Sequence, residues 1–396
     1  MQIEYIELTN FRAFKHIVMR DIPKFCVIVG ANGTGKSTIF QVFNFLKDAM
    51  ADNVQVALNK LGGSGGFKEV RTRNCTGSIK IKIKFRIEND FKPICTYLLE
   101  IDEEGDQPIV VREILSYRRG QRGKPWHFLD FSRGHGSAVK NELAEVSDET
   151  QFDRDEHTLK SNNILAIKGL SQFEKFPAVM ALGNLIENWH ISDFHITSAR
   201  REPECGYAEH LSKEGDNLSL VIDYLHRFHN GVFNEIINKL SHRVPGIENV
   251  QTKITEENRV LLKFKDGAFE DPFLARHVSD GTIKMLAYLV LLFDPKPHPL
   301  LCIEEPENQL YPKLLLELAE EFRLYSLRGG QVFVSTHSPE FLNASKIKEV
   351  FWLFKKDGYT QIMRASDNKQ VSDYVRDGDP LGYLWQQGFF DNVDPV

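Results

Sequence analysis

At 396 residues, with 42% hydrophobic and 26% charged composition and no repeat or low-complexity tract, the chain can bury one large core plus a subdomain. A formal net charge of −6 excludes general polyanion binding, so any nucleic-acid contact must be a local patch. Five cysteines (Cys26, Cys75, Cys95, Cys205, Cys302) with no CxxC pair exclude a disulfide or zinc framework, while the lack of a signal peptide and of any apolar run near the roughly 20 residues of a membrane span points to the cytoplasm.

Residues 3–8 alternate as a half-buried strand does, the apolar run 25–29 reads as a buried strand, and 38–46 reads as the helix that follows. Leu61-Gly62-Gly63-Ser64-Gly65-Gly66-Phe67 reads as a linker, or as a flexible loop able to close over a nucleotide. Residues 78–132 form a β-rich arm. Ile79, Ile81, Ile83 and Phe85 alternate with Lys80, Lys82, Lys84 and Arg86, giving one apolar and one basic face. Strands 94–101 and 109–117 follow, joined by the acidic turn 102–106, and then a second basic cluster, Arg118, Arg119, Arg122 and Lys124, flanked by Tyr117 and Trp126. Residues 133–165 are polar and acidic and read as a surface loop with a short helix. Helices are expected over 176–189, 217–225 and 232–240, then a hairpin over 250–264. Ser279-Asp280-Gly281 opens the apolar helix 285–293, Pro312 can begin another, and 348–355 and 359–364 read as closing strands. The layout is an N-terminal part (1–77), an inserted β-arm and helical lid (78–240) and a C-terminal part (241–396).

Gly30-Ala31-Asn32-Gly33-Thr34-Gly35-Lys36-Ser37 fits the phosphate-cradling pattern GxxxxGK[ST] at every fixed position, between the strand and the helix that the mechanism requires. Glycines let backbone N–H groups turn onto phosphate oxygens, and the helix N-terminus adds partial positive charge. Asn32, Gly33, Gly35, Lys36, Ser37 and Thr38 are therefore the candidate ATP-contacting residues, with Lys36 reaching the β- and γ-phosphates and the Ser37 hydroxyl ligating Mg²⁺. The strand 299–306 ends in Glu304 and Glu305, the pattern of a Walker B strand. Adjacent strand residues point to opposite faces, which splits the roles: Glu304 holds Mg²⁺ and Glu305 orients the attacking water. A further strand, 331–336, delivers His337 to a loop. For Ser279 and Gly281 the isolated pattern fits a plain helix cap, and its position just before the acidic strand favours a nucleotide-facing helix start. The two basic clusters suit DNA or RNA, with Tyr117 and Trp126 stacking on bases, and they equally suit a lysine-protected edge strand plus a solvated turn.

The opening Leu8-Thr9-Asn10-Phe11-Arg12-Ala13-Phe14, the phosphate loop, Ser-Asp-Gly-Thr-Ile-Lys from Ser279, Glu-Glu-Pro-Glu-Asn-Gln-Leu-Tyr-Pro from Glu304 and Ser-Thr-His-Ser-Pro from Ser335 follow the motif order of the ATP-binding-cassette (ABC) ATPases. The chain resembles their RecF/SMC/OLD-type branch, and within it the compact AAA-type ATPases often found in bacterial genome-defence systems. The resemblance implies an α/β ABC-type P-loop head with a β-rich arm and helical lid and no coiled coil. It also implies ATP and Mg²⁺ as cofactors and two heads sandwiching two nucleotides. Glu305 and His337 would be catalytic, His337 sensing the γ-phosphate; Ser279 and Gly281 would contact the nucleotide of the opposite protomer, and Arg12 would approach the phosphates. Glu304 replaces the superfamily's usual Asp and Tyr311 a frequent His; neither change removes a carboxylate, so hydrolysis is expected to survive.

Lys36 and Glu305 lie 269 positions apart without persistent heptads, so the insert is a compact lid rather than the coiled coil of the SMC branch. The 59 residues after His337 are too few for the Toprim nuclease domain of OLD proteins, and Asp377-Gly378-Asp379 reads as a polar turn. The expected role is the regulatory ATPase of an anti-phage system with a separate Toprim-like or HNH nuclease; the alternative is a RecF-like DNA clamp.

Overall fold

The computed structural model describes residues 2–86, 94–118, 124–140, 142 and 148–390. The chain runs through β1 (Gln2–Phe11), β2 (Phe14–Arg20) and β3 (Phe25–Gly30) into the helix Lys36–Ala51. Helices Val54–Gly62 and Gly66–Val70 precede β4 (Ile79–Arg86), β5 (Ile94–Glu104), β6 (Gln107–Tyr117), β7 (Trp126–Ser132), β8 (His135–Val139) and β9 (Arg154–Thr158). The helix Pro177–Glu187 leads to β10 (His190–Ser192). Helices Leu218–Phe228 and Asn230–Arg243 lead to β11 (Ile247–Ile254), β12 (Val260–Asp266) and β13 (Phe273–Leu274). The remainder is the helix Asp280–Leu292, β14 (Leu300–Glu304), the helix Pro312–Leu327, β15 (Gln331–Thr336), β16 (Val350–Lys356), β17 (Tyr359–Arg364) and two short closing helices.

The central sheet has the order β10-β14-β15-β3-β16-β17, parallel except for β17. Its strands are buried on both faces, which is why they read as unbroken apolar runs. Successive residues feed two cores: Cys26, Ile28, Cys302 and Phe333 pack with the helix Lys36–Ala51 and the antiparallel sheet. Val27, Val29, Leu301, Ile303 and Val332 pack with the helices Asp280–Leu292 and Pro312–Leu327. The antiparallel sheet has the order β2-β1-β4-β5-β6-β7-β8-β9, so the 77/78 boundary falls before a strand hydrogen-bonded directly to β1. Buried Cys26, Cys95 and Cys302 are free thiols, as are Cys75 and Cys205. Among the described residues no helix is long and apolar enough to cross a membrane.

Three expectations are corrected. Leu61–Phe67 is neither linker nor open loop but a junction between helices, the first of them capped by the Asn53 side chain accepting the Val56 N–H. Residues 133–165 hold two strands that the loop reading did not expect: β8 and β9 complete the sheet, and the polar sequence of β9 hides its pairing because backbone groups make it. β4 is an interior strand between β1 and β5, so its lysines are not edge protection.

Candidate nucleotide site

The parallel register brings the C-terminal ends of β3, β10, β14 and β15 to one edge of the central sheet, the edge at which open α/β sheets bind ligands. After β3 the chain turns through Gly30–Ser37. Gly35 has φ +95, and a Cβ there would lie 3.2 Å from Ala13 Cβ and 3.4 Å from the Phe14 ring, so glycine is required for both backbone and space. The helix Lys36–Ala51 starts without a side-chain cap or a first-turn acidic residue, leaving its N–H groups open to an anion. Asn32 and Gly33 are exposed at the loop tip, whereas Thr38 is buried beneath it. Lys36 Nζ donates to the Gly30 and Ala31 carbonyls at 2.8 and 3.3 Å. Burial lowers its pKa, and the charges of Glu305, Glu307 and Glu304 oppose that shift. From β17, the buried Thr360 hydroxyl braces the loop by donating to the Thr34 carbonyl at 2.8 Å.

The Ser37 hydroxyl donates to Glu304 Oε2 at 2.6 Å. Burial raises the Glu304 pKa; the Ser37 hydrogen bond opposes this, and the neighbouring Asp193 and Glu305 carboxylates add to it. Asp193 is there because Ser192 of β10 pairs with Ile303 of β14. An oxygen-only donor set of one hydroxyl and one disfavoured carboxylate suits Mg²⁺, a hard cation.

Glu305 stands in the left-handed region at φ +43, its N–H donating to the Ser335 carbonyl at 2.9 Å. Its Oε1 is 3.5 Å from His337 Nδ1, so the two expected catalytic side chains meet. Glu307, which the sequence reading passed over, is the acceptor that holds this corner. Its Oε1 takes the Thr336 hydroxyl at 2.8 Å and the His337 backbone N–H at 2.9 Å. The third acidic residue of the Glu-Glu-Pro-Glu run was the available signal.

Ser279 caps its own helix, its hydroxyl accepting the Thr282 N–H at 3.3 Å. A Cβ on Gly281 would lie 2.9 Å from the Gln309 carbonyl, and Lys284 Nζ donates to the Asn308 carbonyl at 2.8 Å, so this helix start is fitted onto the loop after Glu305. Ser279 and Gly281 line a cleft of about 820 Å³ with Tyr311, Lys313 and Arg243. Arg12 and Thr38 line another, of about 540 Å³, with Arg71, Arg73 and Tyr359. The two clefts share no lining residue. Arg12, at φ +49, donates to the Leu61 carbonyl and keeps a buried Nε without a partner.

A family model described as "AAA domain, putative AbiEii toxin, Type IV TA system" matches residues 25–343, from the start of β3 to beyond His337. The chain belongs to this family. Among solved structures, an SMC head bound to the C-winged helix domain of ScpA matches with TM-score 0.55 at 15% identity, over 92% of this chain and 98% of that one. An SMC head with an extended coiled coil, bound to the C-terminal domain of ScpA derived from Pyrococcus furiosus, gives 0.50 at 14%, over 94% and 99%. No curated protein matches. The fold of this AAA-family chain is thus the ABC-type head of SMC/RecF-like ATPases, with no coiled coil among the described residues.

In this AAA-family chain three of the four basic residues of β4 are paired with carboxylates. Lys80 pairs with Glu100 at 2.9 Å, Lys82 with Glu7 at 3.3 Å and Arg86 with Glu4 at 2.8 Å, while Lys84 lies 4.5 Å from the centre of the Tyr5 ring. Tyr117 is buried and stacked on Phe128 at 3.7 Å, and Trp126 packs on Phe152, so neither is a free platform for bases. Arg118 and Lys124 are exposed; Arg119 and Arg122 lie outside the described residues.

Proposed function

We propose that the chain binds and hydrolyses ATP as a dimeric switch, and that it serves as the regulatory ATPase of a bacterial anti-phage system acting through a separate nuclease. The observation that carries the ATPase reading is the convergence of Lys36, Ser37, Glu304, Glu305 and His337 on one sheet edge from three separate segments. In this reading Lys36 leaves the Gly30 and Ala31 carbonyls for the β- and γ-phosphates, and the open helix start and the loop from Asn32 to Thr38 hold the phosphate oxygens. Ser37 and Glu304 hold Mg²⁺, which when bound neutralises charge on the phosphate oxygens. Glu305 aligns the attacking water and accepts its proton, while His337, steadied by Glu307, reports the γ-phosphate.

Ser279 and Gly281 act on the nucleotide of a second copy, a role supported by the exposure of Ser279 at a helix start lining an open cleft with Tyr311 and Lys313. Functionally the division is a head built from 1–77 and 241–396 and an arm and lid, 78–240, which lends the head its edge strand β10. A Toprim-like or HNH nuclease encoded nearby and a cytoplasmic setting complete the proposal. The ion pairs of Lys80, Lys82 and Arg86 weigh against the RecF-like DNA clamp. The test is phage challenge of cells carrying this gene with its neighbouring nuclease gene. Protection lost on Lys36→Ala or on nuclease inactivation supports the role; protection independent of both overturns it.

A further inference from the structure

At the opposite end of the central sheet from the nucleotide motifs, one donor atom from each of His210, Asp294 and His298 lies within 4.8 Å of the other two. The three residues come from different elements. Asp294 follows the helix Asp280–Leu292, His298 precedes β14, and His210 lies in the loop before the helix Leu218–Phe228. The ring of His190, the first residue of β10, stacks on that of His298 with centroids 4.8 Å apart at 28°, and the His210 and His298 rings are 5.2 Å apart.

The hydrogen bonds set the tautomers. His298 Nδ1 faces the Asn188 carbonyl at 3.1 Å, and a carbonyl only accepts, so Nδ1 carries the proton. That leaves the lone pair on His298 Nε2, which is buried without a hydrogen-bond partner. His190, only 7% exposed, likewise has a buried Nε2 with no partner. Two buried ring nitrogens without a protein partner in one cluster leave lone pairs that a ligand can take. His210 Nδ1 lies 2.6 Å from Asp294 Oδ2, and the Asp294 side chain is 5% exposed with its other oxygen accepting the Lys296 N–H at 2.8 Å. His298, with Nδ1 tied to a carbonyl and Nε2 free, has the usual form of an oriented metal ligand, while His210 Nδ1 and Asp294 Oδ2 already face each other and would exchange their hydrogen bond for a shared ion, the proton leaving to solvent.

We propose that His210, Asp294 and His298 bind a divalent transition-metal ion of the Zn²⁺ class, which fastens the end of the helix opened by Ser279 to the start of the strand that ends in Glu304. Two imidazoles and one carboxylate, with a water completing the tetrahedron, form a borderline donor set that distinguishes this site from the oxygen-only pair Ser37 and Glu304. Ligand atoms around tetrahedral zinc stand about 3.3 Å apart, so the partly exposed His210 has to rotate inward by about 1–1.5 Å. At about 3.3 Å per residue along β14, the ion would sit roughly 15–20 Å from Glu304, a position that stiffens the frame without entering the chemistry.

The test is a Co²⁺ titration of untagged, nucleotide-free full-length protein in excess Mg²⁺, in a Cys205→Ser background that removes the exposed thiol. The expected result is one equivalent of Co²⁺ with visible ligand-field bands of four-coordinate intensity, displaced by Zn²⁺, and a rise in Tm of several degrees with Zn²⁺. His298→Gln should lower the affinity at least tenfold. His210→Asn, at a half-exposed position, should do the same while its metal-free Tm stays near that of the parent. Failure of the parent protein to take up stoichiometric Co²⁺, or unchanged affinity in His210→Asn, overturns the site and assigns the buried Nε2 atoms to water.

Discussion

The Ser37 hydroxyl and the Glu304 carboxylate, 267 positions apart, are joined by a 2.6 Å hydrogen bond. That contact is possible because β14 and β3 lie in parallel on either side of β15, which pairs Glu304 with Ser335 and Ser335 with Ile28. The phosphate loop and the acidic strand end therefore confront each other over a gap of one strand.

Lys36→Ala is expected to abolish ATP turnover, and Glu305→Gln to retain ATP binding while slowing hydrolysis. The first change removes the charge held over the loop carbonyls, and the second keeps the shape but loses the carboxylate facing His337. Removing a group that acts mainly in the transition state costs on the order of 10²–10³ in kcat. Steady-state phosphate release together with labelled-nucleotide binding checks both; parental turnover by Glu305→Gln overturns the assignment.

Glu307→Ala should weaken turnover without removing nucleotide binding, because it releases the Thr336 hydroxyl and the His337 N–H together. Leaving the buried Thr336 hydroxyl unpaired costs about 1–3 kcal/mol of stability, whereas the exposed His337 N–H can turn to water. A variant with parental kcat and parental denaturation midpoint would show that Glu307 does not hold the His337 loop.

ATP should drive association of two copies, and Ser279→Arg should block it while leaving nucleotide binding intact. The helix start is exposed beside Tyr311 and Lys313, where a bulky cation obstructs docking. Mass measurement of Glu305→Gln with and without ATP decides the matter, and a dimer whose mass and arrangement ignore ATP refutes the sandwich.

Gly281→Ala should impair the same association at smaller steric cost to the partner. Its new Cβ would stand 2.9 Å from the Gln309 carbonyl and push the helix start off the loop following Glu305. Strain of this kind typically costs about 1–3 kcal/mol, read as a lowered denaturation midpoint. A parental midpoint together with parental association would remove the packing role of Gly281.

Stability should fall as pH rises through the range 5–7, and Glu113→Gln should flatten that dependence. Burial raises the Glu113 pKa from 4.5 to about 7, opposed by hydrogen bonds from the Ala166 and Ile167 N–H groups and the Tyr97 hydroxyl. The folded state thus keeps a proton that the unfolded state has released, so stability declines between the two pKa values and stays at its lower level above pH 7. Melting temperatures across pH 5–8 for parent and variant check the sign.

The phosphate loop, both Walker carboxylates, the strand-end histidine and most of the central sheet were legible because each is a local pattern. An apolar run ending in a fixed polar residue needs no partner to be recognised. The loop from Gly30 to Ser37 also fixes its own backbone, since only glycine tolerates the φ of Gly35. What tertiary structure decided was everything set by pairing between distant segments. β9 has no apolar alternation to announce it, and only its neighbour β8 makes it a strand. Lys80, Lys82 and Arg86 read as a basic stripe until β1 and β5 placed Glu7, Glu4 and Glu100 across from them. Glu307 lies inside the Glu-Glu-Pro-Glu run but its role shows only in the fold, and Asp193 and the His210, Asp294 and His298 cluster carry no motif at all. Their proximity follows from strand register and helix packing, which a single sequence encodes only through the fold as a whole.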